Sequence, residues 1–157
     1  MKCIVKGSEY HHQDILKIFP EIKPRSLIHW AEIGVITPLS EPENRGGKRV
    51  YSYQNLIEIA FIRQLLKHNL SLKEVKRIVG RMKYRDVINA GNYDLVFVYT
   101  VKLGGARSSK RPLFVSNWPV REGFIPRENF RLDVHGQASG MFVNLAYLKE
   151  FVDHALQ

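Results

Sequence analysis

The hydrophobic period of this 157-residue chain changes from helical to strand-like near residue 91. Before that point apolar residues recur every three to four positions, the period of a helix that buries one face. After it they come in β-branched and aromatic runs, the mark of buried strands. A chain that is helical first and sheet-like afterwards cannot be a plain helical bundle. Nor does it alternate strand and helix as a parallel α/β fold must. The class expected is α+β.

Punctuation divides the first part into four helices. Residues 12–19 carry Ile15, Leu16, Ile18 and Phe19 on one face, and Pro20 stops them. After the brief turn of Ile22 and Lys23, Pro24 opens a second helix, at a position where its missing N–H costs nothing. That helix holds Leu27, Trp30, Ala31 and Ile33, and Gly34 ends it. Two short helices joined by a tight turn suggest a helix-turn-helix. Val35–Leu39 and Lys48–Tyr51 read as two strands of a hairpin whose tip is basic, with Arg45, Lys48 and Arg49. Ser52 caps a third helix over 53–68, with Leu56, Ile59, Ala60, Ile62, Leu65 and Leu66 at helical spacing. Asn69 ends it, and Ser71 with Glu74 forms a capping box for a fourth helix through about Val79. Residues 81–90 read as a further short helix.

In the second part Leu95–Val101, Leu113–Val115, Phe130–Val134 and Met141–Val143 read as strands, and residues 136–140 as a turn. Asn144 caps a last helix with Leu145, Leu148, Val152 and Ala155 on one face, widened by Phe151 and Leu156. The expected division is a helix-turn-helix domain over 1–91 and a β-rich domain over 92–157. Aromatic residues crowd this second part; filling the core of a small domain accounts for them more simply than a ligand pocket does.

Composition narrows the function. The formal charge is +9, which favours a polyanionic partner. The excess is concentrated: residues 1–91 hold 16 basic and 9 acidic side chains, and the remainder 8 and 6. No apolar run reaches the roughly 18 residues that cross a bilayer, and the first residues lack the apolar stretch of a signal peptide. The single cysteine, Cys3, can form neither an internal disulfide nor a thiolate metal site. The expected location is cytoplasmic, with no membrane partner.

Three blocks carry a family resemblance: Lys23-Pro24-Arg25-Ser26-Leu27-Ile28-His29-Trp30-Ala31-Glu32-Ile33-Gly34-Val35-Ile36-Thr37-Pro38, then Lys48-Arg49-Val50-Tyr51-Ser52, then Asn69-Leu70-Ser71-Leu72-Lys73-Glu74-Val75. Residues 10–79 resemble the DNA-binding domain of the MerR family of bacterial transcription regulators. The resemblance implies a winged helix-turn-helix, with four helices and a β-hairpin wing, that binds double-stranded DNA. Through it Lys23, Arg25, Ser26, His29 and Trp30 on the recognition helix become candidate contacts. So do Arg45, Lys48, Arg49 and Tyr51 in the wing, and Arg63 and Lys67 on the third helix. Trp30 is expected to serve mainly as core. The chain departs from the family in three places. Ile28 stands where an arginine is usual, Glu21 looks like a one-residue insertion in the turn, and Leu16 replaces a small residue. The family's long coiled-coil dimerisation helix is also missing after residue 80, so the last helix and the strand at Leu95–Val101 are the expected dimer surface.

The resemblance implies a sequence-specific regulator that binds a pseudo-palindromic operator as a homodimer, with room for a small-molecule effector on the second domain. The alternative is a structural DNA binder, of the chromosome-anchoring or recombination-directionality type, whose second domain docks a protein. Catalysis is not expected. There is no Gly-rich phosphate loop or nucleophile elbow, and Asp133 with His135 is explained by a cross-strand hydrogen bond. His11 and His12 lack metal-binding company, the loop 102–111 reads as solvated, and no cofactor is expected.

Overall fold

The computed structural model describes residues 9–42, 44, 47–84, 95–101, 113–118, 131–134 and 138–157; for 81–84, 95–101, 113–118, 131–134 and 138–142 only the backbone is described. The elements run β1 (Tyr10–His11), α1 (His12–Ile18), α2 (Pro24–Glu32), β2 (Val50–Tyr51), α3 (Tyr53–Lys67), α4 (Leu72–Tyr84), β3 (Leu95–Val101), β4 (Leu113–Trp118), β5 (Arg131–Val134), β6 (Ala138–Asn144) and α5 (Leu145–Ala155). The class is α+β.

The helix ends follow the chemistry of their residues. α2 stops in a Schellman motif. Gly34 takes φ +70°, its N–H donates to Ala31 O at 3.0 Å, and Val35 N–H donates to Trp30 O at 2.8 Å. Val35 and Trp30 are both buried, supplying the apolar contact that accompanies such a stop. Asn69, at φ 60°, ends α3 the same way: its N–H donates to Leu66 O at 3.0 Å. Ser52 Oγ accepts from Asn55 N–H at 3.2 Å, and Asn55 Oδ1 accepts from Ser52 N–H at 3.0 Å, a reciprocal cap on α3. The amide of Asn55 also donates to Thr37 O at 2.9 Å, which fixes the start of α3 to the chain leaving α2. Ser71 and Glu74 make the expected capping box at α4: Glu74 Oε2 accepts from Ser71 N–H at 2.9 Å.

Two readings of the first part are corrected. Val35–Leu39 is not a strand. The pairing near it is a single antiparallel bridge, in which Leu39 N–H donates to Val50 O at 2.8 Å and Val50 N–H to Ser40 O at 3.2 Å. The ladder partner of β2 is β1, with Tyr10 opposite Tyr51 and His11 opposite Val50. Pro38 cannot donate to a ladder, and a two-residue strand at Tyr10 is too short to show a period. α4 runs on to Tyr84, taking in residues expected to start a separate helix; residues 85–94, which include the expected domain boundary at 90–94, lie outside the described residues.

The second sheet is antiparallel throughout, in the order β4-β3-β6-β5. β3 has the expected bounds, while β4 and β6 are longer than expected; β6 begins at Ala138, inside the expected turn. β6 leads directly into α5, where Asn144 Oδ1 accepts from Tyr147 N–H at 3.0 Å.

α3 is the centre of the molecule. Leu56, Ile57, Ile59, Ala60, Phe61, Ile62 and Leu65 are all buried, so most of its circumference is apolar and must be covered. α5 supplies part of that cover. Its Leu145, Leu148 and Val152, followed by Leu156, are buried in the same cluster as the core of α1 to α4. Most of the apolar stripe expected to meet a second copy is therefore buried within the chain, and its Phe151 and Ala155 are partly buried against the same core. The last helix, expected in a separate unit, joins the core of the first.

Candidate nucleic-acid interface

α2 divides its residues cleanly. Leu27, Trp30 and Ala31 face the core, while Pro24, Arg25, Ile28, His29 and Glu32 are exposed. This split follows from helical spacing, and it leaves Arg25 and His29 on one outward face a turn apart. The first turn has few free donors. Pro24 has no N–H, and that of Ser26 goes to Lys23 O at 2.9 Å. The cationic side chains at this end are Lys23 and Arg25, both exposed.

A groove of about 460 Å³ lies between the start of α2 and the second half of α3. Ile22, Trp30 and Leu66 are its apolar lining, and Glu21, Lys23, Ser26, Arg63 and Lys67 its polar one. The structure thus gathers Lys23, Ser26, Trp30, Arg63 and Lys67, drawn from two separated stretches of sequence, around one depression. Lys23 and Lys67 are exposed. Trp30 is only 6% exposed, so the groove meets no more than its margin.

Arg63 is not free. Its Nε pairs with the Glu21 carboxylate, and its guanidinium lies over two rings, 5.8 Å from the centre of Phe19 and 5.2 Å from that of Phe151. Those rings are themselves 5.9 Å apart. The arginine joins the helix-turn-helix turn, α3 and α5. Its sequence signal was incomplete: Glu21 was visible as an extra residue in the turn, but nothing local marks Phe151, 88 positions later, as its neighbour.

On the hairpin side, Arg49 Nε pairs with Glu41 Oε2 at 2.8 Å. Glu41 is half exposed, and such pairs hold weakly enough to be exchanged for a phosphate. Lys48 is exposed; Arg45, at the expected tip, lies outside the described residues. Tyr51 was expected to touch DNA. Its side chain is instead wholly buried, and its hydroxyl has no hydrogen-bond partner among the described residues. Burial raises its pKa. The cause lies in the β1–β2 pairing, which sets Tyr51 opposite Tyr10 in the core. His12, at the start of α1, is held below its ordinary pKa, first by burial and then by the charge of Arg49.

No three His, Cys, Asp or Glu side chains come together as a metal site among the described residues. Nor, among them, is any helix long and apolar enough to cross a membrane.

The helix-turn-helix of α1 and α2 thus has an exposed polar face on α2 and a groove with lysines at its edge, and the loop closed by Ser40 and Val50 carries the exposed Lys48. Residues 21–81 match the family described as MerR HTH family regulatory protein. This segment is a MerR-type helix-turn-helix domain, the DNA-binding part of transcription regulators. The match begins in the turn before α2 and ends within α4, so it includes neither the four-stranded sheet nor α5. No curated protein is detectably similar to the chain.

Proposed function

We propose that the protein is a sequence-specific regulator that lays α2 in the major groove of double-stranded DNA. The loop closed by Ser40 and Val50 acts as a wing along the backbone. The observation that carries this reading is the outward face of α2, which offers Arg25 and His29 to base edges, with Lys23 and Lys67 on the groove beside it. Arginine and histidine donate to base edges, and lysines meet phosphates as point charges. Arg49 joins them once phosphate displaces Glu41. On this reading the chain works by binding and not by catalysis.

One such helix reads too little sequence for tight binding, so such domains pair on half-sites about one DNA turn apart. The operator is then a pseudo-palindrome bound by a homodimer. With most of the α5 stripe buried inside the chain, the dimer contact falls to the sheet that α5 follows. An effector acting on that sheet would reach the DNA face through α5 and Arg63.

Selection of bound duplexes from a random DNA pool by the full chain tests this reading. An inverted repeat of a short motif is expected. Enrichment without any shared motif would contradict a sequence-specific regulator and favour a structural DNA binder.

A further inference from the structure

We propose that Ile28 reads a thymine, by packing against the 5-methyl group in the major groove. The inference rests on α2 being the groove helix and adds a specificity residue to it.

Ile28 lies on the outward face of α2, between Arg25 and Glu32 and beside His29, at 36% exposure. Leu39 and Tyr147 are the other large apolar side chains described as exposed, and neither is on this helix. The core does not use Ile28; Leu27, Trp30 and Ala31 fill the inward face. Local helix stability does not favour it either, because a β-branched side chain loses rotamer freedom in a helix and gains none back when exposed. Its neighbours carry charge or a ring nitrogen, so a bound duplex would be met here by polar groups with one aliphatic group among them.

The major-groove edges offer such a group one matching partner. Guanine, cytosine and adenine show hydrogen-bond donors and acceptors, and only thymine adds a methyl. A polar edge pressed on Ile28 would lose water without gaining a partner, so the same contact also disfavours the other bases. Arg25 and His29, a turn before and one residue after, are placed to read the neighbouring base pairs.

The test uses the full chain and the tightest duplex selected from a random pool. That duplex is remade with uracil replacing each thymine in turn, which removes the methyl and leaves the hydrogen-bonding edge intact. One thymine per half-site is expected to respond, with affinity falling about three- to fivefold, the scale of burying one methyl group. Ile28→Ala should bind the thymine and uracil duplexes alike, and Ile28→Val should keep most of the difference. 5-Methylcytosine at that position should bind the wild type better than cytosine does. Wild-type protein indifferent to uracil at every thymine would overturn the inference while leaving DNA reading intact. So would an Ile28→Ala variant that keeps the full uracil penalty. If the wild type selects no sequence at all, the proposed function fails first, and the inference with it.

Discussion

Two side chains show how far a residue's neighbours decide what it can do. Arg63 was expected to meet phosphate, yet it is paired with Glu21 and covered by Phe19 and Phe151. An arginine so held has its charge answered before DNA arrives. Glu21→Gln should release it, and the slope of log K against log salt should steepen by about 0.9, the value of one added phosphate contact. An unchanged slope in a binding titration would mean that Arg63 stays on the rings. Tyr51 presents the opposite case, a hydroxyl buried without a partner among the described residues. Removing an unsatisfied buried polar group relieves a desolvation cost, so Tyr51→Phe should leave stability unchanged or raise it by up to about 1 kcal/mol in denaturant unfolding. A loss of similar size would reveal a partner for the hydroxyl.

Among the elements, α5 determines most about the molecule. Tyr53 at the start of α3 donates its hydroxyl to Asp153 Oδ1 at 3.0 Å, pinning the two helices together. Burial, then the hydrogen bond to Asp153, pushes the Tyr53 pKa up to about 12. A raised folded-state pKa contributes stability that is complete below the unfolded value near 10 and is lost as pH rises through about 12. Tyr53→Phe should therefore be less stable than wild type by about 1 kcal/mol at pH 8, with the gap closing as pH climbs past 10. A gap that does not depend on pH would mean that the hydroxyl contributes through packing alone. The helices were legible in the sequence because Pro24, Gly34, Ser52, Asn69, Ser71 and Asn144 each act within a turn of where they stand. The place of α5 was not. Ile57 and Phe61 gave α3 a second apolar face, which a reading of one face at a time passes over. They show that α3 needs cover, but not which distant segment provides it. The candidate site divides the same way. The outward face of α2 could be read from periodicity, whereas the burial of Tyr51 depends on pairing with Tyr10, 41 residues earlier.

For the whole molecule, the shared core makes the amino-terminal helices depend on the carboxyl-terminal one. A fragment ending at residue 91 lacks α5, leaves that side of α3 in water and breaks the Arg63 and Tyr53 contacts. It should unfold at lower denaturant than the full chain, and the full chain should lose α3 and α5 in one cooperative transition. Two separate transitions, with the α1 to α4 signal unaffected by the deletion, would show the units to be independent. The central claim is that DNA is met by α2, its flanking groove and the hairpin, and not by the sheet. Amide resonances of the isotope-labelled full chain, followed during titration with its selected duplex, test that most directly. The largest shifts should fall on Lys23–Glu32, Lys48–Val50 and Lys67, with β3 to β6 little changed. Shifts concentrated on β3 to β6, with the α2 amides still, would contradict the account.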